Sequence, residues 1–406
     1  MRLTVLMLFC TVFLIGVRAQ SLNPVSLEQL VNTDIPTTQY NSQVAADPTG
    51  GYVIVWTTAE NSGTVIARKY DSSHNPITSE LTINTDNSKS INIEYWKNGK
   101  YIISFIETSG TTLKFVVLDE LNAVSAETTV LGSLSKYDLS PKGDSLAFLY
   151  TKSSNNQLYL RGYNLSTNNW INTEVLVSEI TGSSASYDEP NIVYHPNGRM
   201  TAIYHLYINT SGCCAFDRRV MRKTFSASYL AEIPEYALWS SSSDLNVGSD
   251  LDASGNANGE VIVTTAHGAT TSARYLRLWI LGNTGTPIVN NAVLLPVVTT
   301  NDWYDYIEGH LYDNGDFLIS KTIRTGGYSN PNGSEAYVIY GTNYNASNSG
   351  LLRMNSTLAG DQQYTSVAKL PNGGFVGCWS GNGFQGDAQG IYARAKDAYM
   401  QGYLRL

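Results

Sequence analysis

The residues best suited to chemistry in this sequence are tyrosines that recur beside acids. Five of them precede a glycine-containing turn by 6 to 11 residues: Tyr40, Tyr137, Tyr187, Tyr306 and Tyr364. The acids that accompany them include Asp138, Asp188 and Asp302. Tyrosine rings can stack on sugar rings while carboxylates bind hydroxyl groups or cations, so the set predicts a candidate ligand-binding face. The alternative is structural, because a buried tyrosine packs its ring and hydrogen-bonds its hydroxyl group.

Residues 301–310 contain the densest group of aromatic and acidic side chains: Asp302, Trp303, Asp305, Tyr306 and Glu308. A glycosidase needs two carboxyl groups roughly 5–10 Å apart, one of them with a raised pKa. Asp305 and Glu308 are candidates for such a pair, although any acidic loop would supply one. The sequence has no H-E-x-x-H, P-loop or G-x-S-x-G motif, and its G-x-G-x-x-G match at 381–386 precedes a predicted strand rather than a helix. No catalytic residue is assigned, and an enzyme is the less favoured interpretation.

Glycine-centred hairpins are the elements that must position these residues. A short strand, a turn with Gly and a strongly apolar strand recur around glycines 50, 99, 143, 198, 259, 315 and 373. Asn-Gly turns between apolar segments are a strong hairpin signal, and a spacing of 44 to 61 residues allows four strands per repeat. The pattern predicts an all-β fold, a seven-bladed β-propeller with four-stranded blades.

The two ends of the chain predict how the ring closes. Residues 23–34 resemble residues 75–86, the predicted outer strand of the first blade, with Asn, Pro, Glu, Asn, Thr and Asp at matching positions. We therefore expect the segment 20–36 to supply the fourth strand of the last blade. The terminal residues 403–406 compete for the same place, and if they occupy it the N-terminal strand is free to pair with a neighbouring molecule.

The first and last repeats resemble those of large secreted bacterial surface and RTX-type proteins. The match in the last repeat runs from Gln363 through Asn372-Gly-Gly-Phe-Val376 and Trp379 to Gly390-Ile-Tyr-Ala-Arg394. The middle five repeats diverge from it. The resemblance implies a propeller used for surface association or ligand display, and it transfers no catalytic residues.

One segment has the spacing of a calcium loop. Oxygen-bearing side chains alternate along it, with Gly255 at the sixth position: Asp250, Asp252, Ser254, Asn256 and Asn258. Such a pattern can wrap Ca²⁺, and it resembles the calcium loops of integrin-like propellers. Ser254 and Asn258 stand where acids are preferred, so a solvated hairpin loop without any ion is the alternative. Ca²⁺ is the one cofactor that the sequence suggests.

Composition and the N-terminus predict an exported protein. Residues 1–19 have the pattern of a signal peptide, with Arg2 before an apolar run and Val17-Arg-Ala19 at the cleavage position. The remainder, 20–406, is expected to form a single propeller domain with no membrane span. A net charge of −8 with 15% charged residues excludes a disordered or coiled-coil chain and argues against nucleic-acid binding.

Modification and disulfide candidates follow from the same compartment. Five asparagines lie in N-x-S/T sequons: Asn164, Asn209, Asn332, Asn345 and Asn355. After loss of Cys10 with the leader, Cys213, Cys214 and Cys378 remain. An odd number of cysteines leaves a free thiol or an intermolecular bridge, with either a vicinal pair or a bridge to Cys378 open.

The sequence thus predicts a secreted or cell-surface protein with a non-catalytic structural or binding role. Its partners would be extracellular proteins, glycans or further copies of itself, assembled through an exchanged N-terminal strand. The alternative is a lectin or glycoside-active enzyme that uses the tyrosine and acid face around a central channel.

Overall fold

The computed structural model describes residues 28–33, 38–59, 63–108, 111–178, 185–209, 216–241, 250–268, 274–294, 303–324, 333–356, 360–381 and 389–396. Secondary structure in this part of the chain consists of β-strands and turns. It contains no helix that could span a membrane. The predicted leader and the competing segment 403–406 lie outside the described residues.

The first half of the described chain forms three sheets. A seven-stranded sheet follows chain order through β2 to β8, and its strands are Tyr40–Ala46, Tyr52–Thr57, Gly63–Tyr70, Leu81–Lys97, Lys100–Glu107, Thr112–Leu118 and Thr128–Leu131. A five-stranded sheet comprises β9 to β13, which are Leu134–Lys142, Ser145–Lys152, Leu158–Asn164, Asn169–Trp170 and Val175–Leu176. The next sheet comprises β14 to β17, which are Ala185–Tyr194, Met200–Asn209, Phe216–Phe225 and Ala231–Ser241.

The second half forms three four-stranded sheets. One contains β18 to β21, which are Leu251–Gly255, Val261–Gly268, Arg274–Leu281 and Pro287–Leu294. The next contains β22 to β25, which are Trp303–Leu311, Phe317–Arg324, Ser334–Thr342 and Asn345–Arg353. In the last, β26 to β28 (Gln362–Lys369, Phe375–Gly381 and Gly390–Lys396) are joined by β1 (Gln29–Leu30) in the order β1-β28-β27-β26.

The 17-residue strand β5 explains why one sheet has seven strands. Its first part pairs with β4, from Ala67 opposite Leu81 to Gly63 opposite Ser88. Its second part pairs with β6, from Ser88 to Lys97. The same strand therefore serves as the outermost strand of one hairpin unit and the innermost strand of the next.

The innermost strands lie against one another in a closed cycle. In order of contact they are β2, β5, β9, β14, β18, β22 and β26, and β26 returns to β2. Apolar clusters fill the spaces between consecutive sheets; one joins Trp56 of β3 to Val376 of β27, and another joins Leu318 of β23 to Trp379 of β27. This arrangement is that of a β-propeller, because face-to-face sheets around an axis bury both faces of each sheet.

A glycine with positive φ and a carboxylate stabilise the first inner hairpin turn. Gly50 has a φ of +92°, which a residue with a Cβ rarely adopts. Asp47 accepts the backbone N–H of Thr49 at 2.7 Å and that of Gly51 at 3.2 Å, so its side chain satisfies the turn. The turn glycines in the sequence thus mark true hairpins.

The N-terminal strand pairs with the last strand of its own chain. Gln29 lies opposite Ala393 and Leu30 opposite Tyr392. The N–H of Val31 donates to the carbonyl of Ile391 at 2.7 Å, and Asn32 Oδ1 accepts the N–H of Ile391 at 2.7 Å. Val31 is fully buried. The strand pairing predicted for segment 20–36 is therefore present within its described part, residues 28–33.

Candidate functional site

The seven innermost strands surround a central channel of about 760 Å³. Each contributes alternate side chains to its wall, because successive residues of a strand point to opposite sides. Six carboxyl groups line it: Glu94, Asp138, Glu189, Asp250, Asp252 and Glu308. The lining ammonium groups are those of Lys142 and Lys369. The wall is therefore rich in acids.

One polar residue of each innermost strand forms a belt around this channel. We call these residues the polar belt: Gln43, Asn92, Asp138, Asn191, Asp252, Glu308 and Ser366. Three of them are carboxylates, and each accepts a backbone N–H of the next innermost strand: Asp138 from Ile192 at 2.8 Å, Asp252 from Gly309 at 2.6 Å and Glu308 from Val367 at 3.0 Å. Asn191 Oδ1 and Ser366 Oγ do the same, from Ala253 at 3.3 Å and Val44 at 3.2 Å.

The polar belt has a structural cause. An innermost strand is the edge of its sheet, so backbone groups on its channel side have no strand to pair with. An unpaired backbone N–H removed from water costs about 1–3 kcal/mol. A side-chain oxygen from the preceding strand satisfies this donor and ties adjacent sheets together. Glu308 accepts the N–H of Val367 in this way with one oxygen, and its other oxygen lies 3.2 Å from His310 Nε2.

Burial and like charge raise the pKa of several of these acids. Burial raises the pKa of Asp138 to about 7, the N–H of Ile192 opposes the rise, and Asp252 adds to it. Burial raises the pKa of Asp252 to about 7 as well, with the Glu308 charge as the second cause. These carboxyl groups therefore titrate near neutral pH, which is typical of acids enclosed with other acids.

Glu94 differs from the acids of the polar belt. It lies two residues further along β5 than Asn92, so it faces the channel on the side of the polar belt where β5 ends. Burial raises its pKa well above the ordinary value, and the charges of Asp138, Glu308 and Asp252 raise it further. No hydrogen bond to its carboxyl group is present within the described part of the chain. Glu94 was not singled out from the sequence, although its alternation with Asn92 in an apolar strand could have indicated it.

Three of the predicted tyrosines gather at one end of the channel. The rings of Tyr306 and Tyr364 are 4.3 Å apart, and that of Tyr40 packs edge-on against Tyr364 at 6.2 Å. Tyr306 and Tyr364 line the channel. We call Tyr40, Tyr306 and Tyr364 the tyrosine cluster. All three rings are partly exposed, so a flat ligand can reach them.

A bulge in each contributing strand aims these rings. The pairing register shifts between Tyr40 and Gln43, between Asp305 and Glu308, and between Gln363 and Ser366. Tyr306 and Tyr364 themselves have φ values of +55°, a conformation that is costly for a bulky residue. The backbone carbonyl of Tyr364 accepts the hydroxyl of Ser42 at 2.9 Å, which holds the bulge against the next sheet. β-Bulges commonly re-aim side chains in this way.

The other predicted tyrosines have structural roles. The Tyr137 hydroxyl bonds to Ser104 Oγ at 2.9 Å and donates to the Ser90 carbonyl at 2.8 Å. Tyr187 is buried in an apolar cluster, 5.8 Å from the ring of Tyr204. For these two residues the structural alternative is the better description.

The predicted acids are separated by the structure into different environments. Asp188 forms an ion pair with Lys136 at 2.9 Å; burial alone would lower the pKa of Lys136, but Glu189 and Asp188 raise it above the ordinary value. Asp302 lies outside the described residues. Trp303 and Asp305 lie in strand β22, where only their backbone is described. The predicted pair of Asp305 and Glu308 therefore stays a prediction, because the side chain of Asp305 lies outside the described part of the structure.

The predicted calcium loop is partly a strand and partly the turn of an inner hairpin. Leu251–Gly255 is strand β18, so the alternate oxygen-bearing residues share the face directed at β22. All five bond to that strand or its turn: Asp250 to the N–H of Tyr306, Asp252 to the N–H of Gly309, Ser254 to the carbonyl of Gly309, Asn256 to the carbonyl of Tyr312 and Asn258 to the carbonyl of Asp313. No group of three or more Asp, Glu, His or Cys side chains in the described ranges is placed to hold a metal ion.

The sequons and cysteines fall into different environments too. Asn164 is partly exposed, and Asn209 and Asn345 are exposed. Asn355 is 1% exposed and its Oδ1 accepts the N–H of Ala336 at 3.0 Å, so a glycan there is incompatible with the fold. Cys378 is a buried free thiol. Asn332, Cys213 and Cys214 lie outside the described residues.

Solved structures with the same fold are found at low sequence identity. An ulvan lyase of polysaccharide lyase family PL25, bound to -[GlcA(1-4)Rha3S]-, has a TM-score of 0.57 at 9% identity, covering 89% of this chain and 94% of that chain. The polysaccharide lyase Uly1 has a TM-score of 0.54 at 9% identity, covering 95% of this chain and 94% of that chain. A protein of unknown function from Dyadobacter fermentans has a TM-score of 0.52 at 9% identity, covering 92% and 99%.

These similarities show the fold alone. Neither a protein-family model nor a curated protein matches the sequence. The resemblance to RTX-type repeats therefore stays a prediction. The structural comparisons place the chain among β-propellers, some of which are polysaccharide lyases.

Proposed function

We propose that this protein is an extracellular carbohydrate-binding β-propeller that holds a glycan at the tyrosine cluster. The observation that carries the proposal is the contact of three tyrosine rings at the entrance of an acid-lined channel. Aromatic faces bind the apolar faces of sugar rings, and carboxylates accept hydrogen bonds from hydroxyl groups. That propellers of this fold include polysaccharide lyases supports the proposal.

The architecture that goes with this function has seven four-stranded blades. The cyclic contact of seven innermost strands supports this number, with β5 divided between the first and second blades. We also propose that residues 1–19 direct export and that 20–406 form the one propeller domain. Glycosylation at Asn164, Asn209 or Asn345 fits the same compartment.

Binding is proposed rather than hydrolysis because of the state of Glu308. Both of its oxygens are occupied, one by the N–H of Val367 and the other by His310. A general acid must be free to approach the glycosidic oxygen. Self-assembly through an exchanged N-terminal strand ranks lower too, because β1 already occupies the edge of β28 in its own chain.

The test is a glycan array with the purified secreted protein and two matched variants. Tyr364→Asn removes a ring of the cluster, and Asn41 of β2 has the same positive φ at the equivalent bulge, so asparagine suits that backbone. Tyr236→Ala removes an exposed tyrosine on the outer strand β17. We expect Tyr364→Asn to weaken glycan binding about threefold to tenfold, the equivalent of about 0.5–1.5 kcal/mol for one aromatic contact. Tyr236→Ala should bind as the natural protein does.

Two outcomes would oppose the proposal. If the natural protein binds nothing on a broad array, no glycan-binding function remains. If Tyr236→Ala and Tyr364→Asn weaken binding equally, the tyrosine cluster is not the site.

A further inference from the structure

The channel has more acid than its structural role needs. In the polar belt, Asn191 and Ser366 bind the next strand as the carboxylates do, without a charge. Asp138, Asp252 and Glu308 therefore place ionisable carboxyl groups at positions where an uncharged side chain makes the same bond. Glu94 adds a fourth carboxyl group that takes no part in joining the sheets.

The two lysines of the wall do not neutralise the charge of these acids, and among the described residues the one histidine contact with them is that of His310 Nε2 with Glu308 Oε1 at 3.2 Å. Lys142 Nζ donates to the backbone carbonyl of His195, and Lys369 Nζ donates to that of Leu311 at 2.9 Å. Neither ammonium group is paired with a carboxylate of the channel in these contacts. His195 is held between Gly259 O at 2.9 Å and Thr201 Oγ1 at 2.7 Å, and burial lowers its pKa, which disfavours the charged form of the ring. The channel interior therefore favours a positively charged occupant.

The arrangement of the acids indicates an extended occupant. The acid side chains of the described residues are too dispersed to ligate one metal ion together. Glu94 lies four residues beyond Ser90, the bulge residue of β5 equivalent to Tyr306 and Tyr364. Four residues of strand span about 13 Å. A molecule that touches both the tyrosine cluster and Glu94 must therefore be longer than a single sugar ring.

We infer that the channel binds the end of a glycan chain that carries free amino groups, with Glu94 contacting an ammonium group. This inference rests on the proposed glycan binding and names the class of glycan. The tyrosine cluster packs on the outer sugar rings, and the inner amino sugar places its ammonium group against the one channel carboxylate that no described donor occupies.

The inference is tested by calorimetric titration at pH 7 with three hexasaccharides. These are a glucosamine hexamer, its fully N-acetylated counterpart and a galacturonic acid hexamer. The first two share a backbone and differ in charge. We expect the glucosamine hexamer to bind about tenfold more tightly than the acetylated one, which corresponds to about 1.4 kcal/mol and is within the range of one charge-assisted hydrogen bond. The uronate hexamer should not bind.

Glu94→Gln is the matched variant, because it keeps the size of the side chain and removes the carboxyl group that would ionise beside an ammonium group. We expect it to lower the affinity for the glucosamine hexamer about tenfold and to leave that for the acetylated hexamer unchanged. Glu120→Gln, at an exposed position on the protein surface, is the control and should alter neither affinity. An unfolding temperature of Glu94→Gln that is equal to or higher than that of the natural protein confirms that the fold is intact.

The outcomes separate this inference from the function on which it rests. If both neutral and cationic hexamers bind equally, or Glu94→Gln changes nothing, selection by charge is refuted and glycan binding stands. Tighter binding of the uronate refutes it as well. If neither glucosamine-based hexamer binds and the glycan array is also empty, the proposed function fails.

Discussion

Replacing Asp252 with asparagine should increase the free energy of unfolding, relative to the natural protein, by more at pH 8 than at pH 5. Asp252 Oδ2 accepts the N–H of Gly309 at 2.6 Å, and burial with the nearby Glu308 charge raises its pKa to about 7. In the unfolded chain an aspartate titrates near 3.8. Asparagine keeps the acceptor oxygen, as Asn191 shows at the same position of β14, and it removes the charge.

The sign and size of the effect follow from proton linkage. Between about pH 4 and pH 7 the folded protein holds a proton on Asp252 that the unfolded chain has lost, so the free energy of unfolding decreases as pH rises through this window. Each pKa unit is worth about 1.4 kcal/mol. From pH 5 to the folded pKa of about 7 the natural protein therefore loses up to about 3 kcal/mol through this residue, and Asp252→Asn loses none of it. We expect the advantage of the variant to grow by about 2–3 kcal/mol from pH 5 to pH 8.

Urea unfolding at the two pH values measures this difference. Asp252→Ala, which lacks the acceptor, should cost about 1–3 kcal/mol at pH 5, where the charge contributes least. Glu120→Gln, whose carboxylate is half-exposed beside Lys100, is the control and should change stability by less than about 0.5 kcal/mol at both pH values. An advantage of Asp252→Asn that is the same at pH 5 and pH 8 would refute the argument.

Four further outcomes test the fold and the corrected assignments. Chelation with EDTA should leave the unfolding temperature unchanged, because Asp250 and its neighbours bond to β22 rather than to a cation; a lowered temperature would restore the calcium interpretation. Cys378 should resist thiol reagents in the native protein, since it is fully buried and burial raises its pKa, and rapid labelling would contradict this. Gly162→Ala should cost about 1–3 kcal/mol in urea unfolding, because a Cβ there would lie 1.9 Å from the Tyr229 hydroxyl, and an unchanged midpoint would contradict that packing. Mass spectrometry of the secreted protein should find Asn355 unmodified; a glycan at that position would show that the strand around it is placed differently.

The strands and their closure could be predicted because their signals are local. Turn glycines and apolar runs locate the inner hairpins, and Gly50 has the positive φ that such a turn requires. The match of residues 23–34 to 75–86 predicted the pairing of β1 with β28. The two segments also agree in burial, since Asn32 and Asn84, at equivalent positions, are both almost fully buried.

The roles of the polar residues could not be predicted from their types. Asp250, Asp252 and Ser254 have the spacing of a calcium loop and also that of one face of a strand, and only the neighbouring strand decides between the two. Tyr306 and Tyr364 stand at bulges and line the channel, whereas Tyr187 is buried. This difference also depends on tertiary contacts. A signal was nevertheless present, because in six of the seven inner hairpins the residue seven positions before the turn glycine is a polar-belt member.

The composition of the polar belt bears on function because five of its members accept an N–H of the next strand, three of them as carboxylates and two as neutral groups. Any side-chain oxygen satisfies the exposed N–H of the next strand, and Ser366 does so as a neutral group. The charge of Asp252 raises the pKa of Asp138, the charge of Glu308 raises that of Asp252, and all three raise that of Glu94, so these acids oppose folding above neutral pH. Because neutral residues make the same bonds elsewhere in the belt, the carboxyl groups add no stability that an uncharged side chain would not give. The excess charge is accounted for if a cationic group enters the channel, because its binding restores the ionised form of Glu94 and offsets the repulsion among the acids around it.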